Sequence, residues 1–388
     1  MYMQRISLLD FRNYSDISLD LGPGCFILAG DNAQGKSNFC EAAAMLSSMR
    51  SFRASSEREL IRWGSAGGFA KIQASFQRAQ DSCGVSIVIS ETKPAILPQS
   101  AAVPLDEQLS AGSARKKVWL NDAPKRALDC VGAVKVILFE PADLDIVSGA
   151  PSIRRHFLDV TLCLQSRKYC KNLSQYQRIL TQRAALLKRI REGMDSAGSL
   201  TYWDEQLALH ACAITAERAA FVARCLPYAE EFGWKMGIAA LKPEYIPSFL
   251  AEDTVHGNQL FLEQLTRLRK REIAQGVNLL GSHRDDLMFL SETISLGVYG
   301  SRGQQRIAAL ALKLAELRVM EDIDGDRPIL ALDDVLSELD TTRRKALLNH
   351  VKNYTQVFLA TAEPEALPDD FIQSAVRLRV SQGNIRQW

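Results

Sequence analysis

The sequence has little of what would mark a disulfide-stapled, zinc-bound or membrane-spanning chain. Its eight cysteines stand singly with no Cys-x-x-Cys pair, and its five histidines are dispersed. Neither a disulfide framework nor a structural metal is therefore expected. The longest apolar runs, such as Val131 to Phe139, are short and broken by Lys135, far from the roughly 18 residues that cross a bilayer. The stretch MYMQRISLLDFRNY carries polar residues throughout and no apolar signal core, so a cytoplasmic setting is expected. Charge of one sign is also missing. With 47 Lys+Arg against 45 Asp+Glu, the net charge is only +2, and a nucleic-acid partner has to be sought in local clusters.

What is present is an ordinary globular composition, 47% hydrophobic and 24% charged over 388 residues, enough for two domains. MQRISLLDF alternates, and CFILAG is an apolar run ending at Gly30; both read as strands, as do VSIVIS (85–90) and KVWLND (117–122). The Pro-, Ser- and Ala-rich stretch from Glu91 to Arg115 reads as an exposed loop. A helix is expected from Lys36 to Met49, with small residues Ala42 to Ala44 for close packing.

From about Ile153 to Lys270 helical spacing takes over. Tyr169, Leu173, Tyr176, Leu180 and Leu187 share one helical face, Leu207, Ile214 and Phe221 repeat at sevens, and a third helix around Phe261 to Leu268 ends in RLRKRE. Strands are expected again at DDLMFL (285–290) and TISLGV (293–298). A helix from Arg306 to Met320, the strand ILAL, a helix from Thr341 and the strand TQVFLAT (355–361) follow. The pattern is α/β: a mixed sheet with flanking helices over 1–145 and 275–388, split by an inserted helical lobe over 146–274.

Gly30 to Ser37 reads GDNAQGKS, a complete G-x-x-x-x-G-K-[ST] loop between an apolar strand and a helix, the setting a phosphate-binding loop requires. Gly30 and Gly35 let the backbone turn so that N–H groups from Asp31, Asn32, Ala33 and Gln34 can face phosphates. The helix that follows adds the positive end of its dipole. Lys36 is the candidate ligand of the outer phosphates and Ser37 of Mg²⁺. Far downstream, ILALDD ends a strand in two carboxylates, at the edge where open α/β sheets present ligands. Asp333 is the candidate second Mg²⁺ ligand and Asp334 the candidate base or water-orienting group. Asp333 lies 297 positions after Lys36. Between them GSRGQQR (300–306) offers a hydroxyl and free N–H groups at a helix start, which taken alone is also an ordinary N-cap turn.

The order of these motifs, P-loop, Ser-x-Gly-Gln, apolar-Asp-Asp and then Ser337-Glu338-Leu339-Asp340, resembles the Walker A, signature, Walker B and D-loop series of ABC ATPases. The long spacing is similar to the SMC-like branch, whose heads are split by an insertion. Within it the chain resembles the RecF family over almost its full length, through Asp10 to Tyr14, GDNAQGKSNFCEA, Ser51-Phe52-Arg53, FEPADLDIVSGAPSIRRHFLD (139–159), GSHRDDL (281–287), GSRGQQRIAALALKLAE (300–316) and LDDVLSELDTTRR (332–344). Ala33 stands where that family usually has Gly, Ser37 where Thr is commoner, and Thr361 or its neighbour where ABC heads carry a switch histidine.

The resemblance implies an ABC/SMC-type ATPase head with ATP and Mg²⁺ as cofactors. Arg12 joins the nucleotide contacts. Lys36, Asp334, Ser301 and Gln304 form the catalytic set, and Ser301, Gly303 and Gln304 act on the nucleotide of a second copy, beside Asp340 of the D-loop. Asp334 in place of the usual glutamate implies slow, switch-like turnover. It further implies an ATP-dependent homodimer on double-stranded DNA and at junctions with single strands. Gap repair, replication recovery and SOS induction, with RecR and RecO as partners, come from the resemblance alone. Ten Lys/Arg against two acidic residues between Pro151 and Glu192 give the DNA a candidate surface at Arg154, Arg155, Arg167, Lys168 and Lys171; Arg154 and Arg155 have a structural alternative at the lobe junction. The competing readings are a nucleotide-gated protein scaffold and a transporter-type ATPase subunit, the latter at odds with so long an insertion.

Overall fold

The computed structural model describes residues 1–79, 81–91, 114–249 and 254–388; most of the stretch read as a loop between Glu91 and Arg115 lies outside them. The chain divides into two compact units, Met1–Pro141 with Met320–Trp388, and Ala142–Val319.

The first unit holds two six-stranded sheets. One is antiparallel, in the order β2 (Tyr14–Asp20), β1 (Tyr2–Phe11), β4 (Phe69–Gln77), β5 (Ser82–Glu91), β6 (Ala114–Leu120), β7 (Ala123–Lys125). β4 and β5 alternate buried and less buried residues, as strands with one covered face do. The strand expected over 117–122 ends at Leu120, because Asn121 and Asp122 both take positive φ and form a two-residue hairpin turn into β7.

The other sheet runs β15 (Asn384–Gln387), β14 (Val376–Ser381), β3 (Gly24–Ala29), β13 (Gln356–Thr361), β12 (Ile329–Asp333), β8 (Val136–Phe139). From β14 to β8 all pairings are parallel, and β15 closes one edge antiparallel. β12 and β13 are buried at every position, in keeping with their apolar stretches ILAL and VFLA. Helix α1 (Lys36–Ser48) touches strands of both sheets, among them β4, β8, β12 and β13. Its Ala42, Ala43 and Ala44 are at most 1% exposed; larger side chains there would force the layers apart. The helix ends at Met49, left-handed at φ 58 and capped back onto Met45 O.

The second unit is mainly helical: α2 (Pro151–Gln165), α3 (Arg167–Arg191), α4 (Thr201–Lys235), α5 (Thr254–Gln275) and the start of α6 (Arg302–Asp324). Tyr169, Tyr176 and Leu187 of α3 and Leu207, Ile214 and Phe221 of α4 are buried, as their spacing predicts. Three further findings amend the sequence reading. A strand, β9 (Leu241–Ile246), interrupts the helical middle, pairing with β10 (Asp286–Ser291), which pairs with β11 (Ile294–Ser295). Pro243 disguises β9, and its place at the sheet edge tolerates the proline. The strand expected over 293–298 is only Ile294–Ser295, followed by a helical turn, Leu296–Tyr299. The second compact unit spans Ala142–Val319, and β10 joins β9 in one sheet within it.

A buried ionic cluster lies within the second unit. Arg183 is 0% exposed and bonds Asp204 at 2.8 Å, Glu272 at 2.6 Å and Asn278 at 2.7 Å. It ties α3 to α4 and α5, and a cation counted by sequence among the basic surface residues is thus internal.

Candidate nucleotide site

The parallel order β3-β13-β12 decides the geometry, because it gathers three strand ends at one edge. β3 delivers Gly30, β13 delivers Thr361 and β12 delivers Asp333. Ser37, two residues into the first turn of α1, donates its Oγ hydrogen to Asp333 Oδ1 at 2.8 Å, closing a chain separation of 296 positions. Lys36 is 7% exposed and its Nζ donates to Gly30 O at 2.6 Å and Asp31 O at 2.8 Å. Burial lowers its pKa, against the opposing pull of Asp334, Asp333 and Asp31. The ammonium is therefore held inside the loop by carbonyls that a phosphate can replace.

The loop is held from outside. Asn13 donates to Gln34 O at 2.8 Å and the buried Tyr14 hydroxyl to Gly35 O at 2.8 Å. From the β14–β15 turn, Gly383 N donates to Gln34 O at 3.1 Å and Gln382 N to the Gln34 side chain at 2.8 Å. With the Gln34 and Gly35 carbonyls bound outward, the loop leaves its N–H groups for an anion. Glycine is required at two points. A Cβ on Gly30 would collide with the carbonyl of Val380, and Gly35, at φ 125, would press one to 2.8 Å from Asn13 Nδ2. Ala33 sits at φ 64, a conformation that costs an L-residue roughly 1–2 kcal/mol.

Asp333 is 5% exposed, and burial raises its pKa despite Ser37 and Arg53. Its second oxygen lies 3.7 Å from the Arg53 guanidinium. A buried carboxylate beside a hydroxyl, with Arg53 and Lys36 as its neighbouring cations, is a fitting donor pair for Mg²⁺, which takes hard oxygens and keeps part of its shell for phosphates. Asp334 adopts the left-handed conformation at φ 56, a strained position for a side chain with a Cβ. Its pKa is raised by burial, opposed first by Lys36. Together with Asn32, Ser337, Arg344, Thr361 and Glu363 it lines a pocket of about 480 Å³ open to solvent. The Thr361 hydroxyl accepts from Glu363 N at 3.1 Å.

Arg12 takes positive φ (52) and grips Glu41 with two nitrogens, at 2.9 and 2.8 Å, while Ser51 donates to the same carboxylate at 2.5 Å. Sequence reading singled out Arg12 but not the buried Glu41 that orients it, nor Arg53, Asn13, Tyr14 or the Gln382–Gly383 turn as parts of the site. Asn13, Tyr14, Glu41 and Arg53 all stand within motifs that carry the resemblance; the burial of Glu41 in mid-helix comes only from the structure.

In the second unit Ser301 and Gln304 form a reciprocal cap at the start of α6. Gln304 N donates to Ser301 Oγ at 3.2 Å and Ser301 N to Gln304 Oε1 at 2.9 Å. This cap starts the helix four residues before the expected Arg306. Ser301, Arg302 and Gln304 are exposed and Gly303 is half-buried. Asp340 caps its own helix, α7 (Thr341–Val351), accepting from Arg343 N at 2.9 Å.

The five residues read as a DNA surface part company. Arg154 is 9% exposed, binds Asp286 at 2.6 and 3.0 Å and donates to Gly149 O at 2.7 Å. Arg155 is half-buried and donates to Asp285 O at 2.8 Å. Both serve the fold, the alternative their position allowed. Arg167, Lys168 and Lys171 are exposed on the first turns of α3.

A family model described as RecF/RecN/SMC N terminal domain matches residues 2–386. Proteins named DNA replication and repair protein RecF match end to end: that of Halalkalibacterium halodurans is 35% identical, covering 100% of both chains, and that of Chloroflexus aggregans is 38% identical, covering 99% of both. The chain belongs to the RecF family. Solved structures described as the recombination mediator protein RecF-ATP and RecF-ATPrS in the RecFOR pathway superpose with TM-scores of 0.86 and 0.85 at 26% and 27% identity, over 100% of this chain and 97% and 98% of theirs. An SMC head domain from Pyrococcus furiosus shares the fold at a TM-score of 0.51 and 12% identity. The RecF-family chain thus carries the ABC-type ATPase head fold expected from its motifs. No helix among the described residues is long and apolar enough to cross a membrane.

Proposed function

We propose that this RecF-family chain is an ATP-hydrolysing switch of DNA repair and replication recovery, which closes as a dimer on double-stranded DNA when ATP binds and opens when ATP is hydrolysed. The observation that carries the reading is the Ser37–Asp333 hydrogen bond with Lys36 beside it. It supports the reading by bringing the end of β12 to the first turn of α1.

In this reading the loop from Gly30 to Gln34 and Lys36 hold the phosphates, and Arg12 adds a cation. Ser37 and Asp333 would hold Mg²⁺, whose positive charge would offset the negative charge of the phosphates. Asp334 accepts a proton from, or orients, the attacking water. The raised pKa suits a proton acceptor that must not be too weak a base. Its side chain is one methylene shorter than glutamate, and slow turnover follows from the longer reach to the water.

Dimerisation is supported by the surface around the signature. Ser301 and Gln304 are exposed, and Val298 and Tyr299 just before them are 71% and 78% exposed. Apolar side chains displayed next to polar groups suit burial against a second copy. Ser301, Gly303 and Gln304 then reach the nucleotide of the opposite chain, and bound ATP stabilises the dimer by linkage. Duplex DNA is held through Arg167, Lys168 and Lys171 by phosphate contact without base reading, at gaps and at junctions with single strands. RecR and RecO are the protein partners that family membership suggests.

The test is light scattering on the Asp334→Asn chain. With saturating ATP it is expected to accumulate as a dimer, and the Lys36→Ala chain is expected to stay monomeric. A monomeric Asp334→Asn chain under those conditions contradicts the reading.

A further inference from the structure

A hollow of about 560 Å³, open to solvent, lies within the second unit between α2 and α3. Arg155 and Asp159 line it from α2, Tyr176 and Gln177 from α3, Arg218 from α4 and His283 from the helical turn Ser282–Arg284.

The lining sets two guanidiniums against one carboxylate, and that carboxylate is already taken. Arg218, 2% exposed, donates to Asp159 Oδ1 from Nε at 3.1 Å and from Nη2 at 2.7 Å. The Tyr169 hydroxyl donates to the same oxygen at 2.5 Å. Arg155 has no such partner. It serves the fold through one nitrogen, Nη1, which donates to Asp285 O at 2.8 Å. Its Nε and Nη2 have no protein acceptor among the described residues. The nearby carboxylates are engaged elsewhere, Asp285 by Thr215, Tyr245 and Ser248, and Asp286 by Arg154. Burial and the neighbouring Arg218 charge lower the Arg155 pKa despite Asp286, Asp285 and Asp159, the direction expected of a cation short of counter-charge. His283 adds no charge. Burial pushes it down to about 4, and its neutral ring accepts from the Tyr176 hydroxyl at Nδ1, 2.8 Å, and donates from Nε2 to Asn278 O at 3.2 Å.

The geometry points to a second oxyanion site in this hollow, which takes a terminal phosphate group on the Arg155 fork and the Gln177 amide, over the fixed charge of Arg218. The planar guanidinium, with two nitrogens left to donate, matches two phosphate oxygens side by side. Gln177 is exposed, so its amide reaches the same oxygens from the solvent side. A terminal phosphate carries about two negative charges at neutral pH, which suits two guanidiniums. A backbone diester carries a single charge and has to leave the groove in both directions. A phosphorylated DNA strand end and free orthophosphate present the same oxygens. The site stands on these contacts alone and goes beyond the function proposed above.

The phosphate loop also accepts phosphate, so the experiment uses full-length Lys36→Ala, in which that loop is disabled. Its Tm is followed as inorganic phosphate replaces chloride at constant ionic strength. A saturable rise is expected, because a ligand bound only by the folded state stabilises it. Adding Arg155→Gln should abolish the rise. Since Arg155 also holds Asp285 O, Gln177→Glu provides a second variant, at an exposed position where a carboxylate leaves the fold intact and repels the anion; it too should abolish the rise. No rise in Lys36→Ala, or an equal rise in all three chains, overturns the inference. Duplex oligonucleotides with phosphate ends and with hydroxyl ends are then titrated into Lys36→Ala at one salt concentration. Several-fold tighter binding of the phosphate ends, lost on adding Gln177→Glu, supports the site with strand ends as its ligand. Equal affinity for both ends, with the Tm rise present, supports it with free orthophosphate as its ligand. A preference for phosphate ends that survives both Arg155→Gln and Gln177→Glu overturns the strand-end ligand.

Discussion

Replacing Tyr14 by Phe isolates the outer support of the phosphate loop. The substitution keeps the buried ring and removes one oxygen, whose hydrogen is donated to Gly35 O at 2.8 Å. Burial raises the Tyr14 pKa, so the hydroxyl is a donor throughout the neutral range. The acceptor is not orphaned by its loss, because Phe39 N also donates to Gly35 O at 3.0 Å. The penalty therefore belongs at the ordinary value for one lost bond, about 1 kcal/mol, rather than at the larger penalty of an unsatisfied buried carbonyl. That corresponds to about a fivefold loss in the folded-to-unfolded ratio. Nucleotide affinity should fall by less than about tenfold, an energy of 1.4 kcal/mol, since Asn13 and Gly383 still hold Gln34 O. Thermal denaturation and titration with a non-hydrolysable ATP analogue measure the two effects. Unchanged stability would refute the hydrogen bond, and complete loss of nucleotide binding with a folded chain would refute its purely supporting role.

Three further outcomes follow from the same contacts. Arg183→Met leaves Glu272 buried without its cation and Asp204 with only Arg269, at 2.6 Å, and is expected to cost about 3–5 kcal/mol, measured as a drop in Tm. Asp333→Asn should abolish Mg²⁺-dependent nucleotide binding yet raise the Tm of the nucleotide-free chain. Because burial raises the Asp333 pKa, its contribution to folding is fullest below the ordinary carboxylate value and is lost as pH rises through the folded value, so the gain in Asp333→Asn should appear at neutral pH and vanish near about pH 4. Replacing Arg167, Lys168 and Lys171 together by Ala should weaken duplex binding and flatten its salt dependence by about 0.9 in log–log slope per lost phosphate contact, whereas Arg154→Ala, which breaks the pair with Asp286, should lower stability; a binding curve unchanged in the triple variant would remove α3 from the DNA surface.

The parts of the site that sequence made legible are those in which chemistry and neighbours along the chain coincide. GDNAQGKS lies between its strand and its helix, and the two aspartates end an apolar strand, so residue type and local context carry the motif. What stayed hidden depends on pairings between distant segments. Tyr14 and Gln382 are 368 positions apart, and only the sheet order brings both to the loop. Arg183 illustrates the converse error. In a run of basic residues it looks like a solvent-facing cation, and only the packing of α3 against α4 and α5 reveals it as buried. β9 was masked because Pro243 contradicts a central strand but not an edge one. An N-cap turn within GSRGQQR is legible in the sequence, but which residue caps is not, and the structure starts α6 at Arg302 through the reciprocal Ser301–Gln304 bonds.

The central claim is that two copies complete each other's nucleotide site, and mixing two defective chains tests it most directly. Lys36→Ala removes the phosphate-holding side and Ser301→Arg blocks the signature side, so each alone should neither associate with ATP nor hydrolyse it. An equimolar mixture should recover ATP-dependent association and a measurable part of the hydrolysis, because one pocket of the mixed dimer has both intact halves. A mixture as inert as its components would contradict the account.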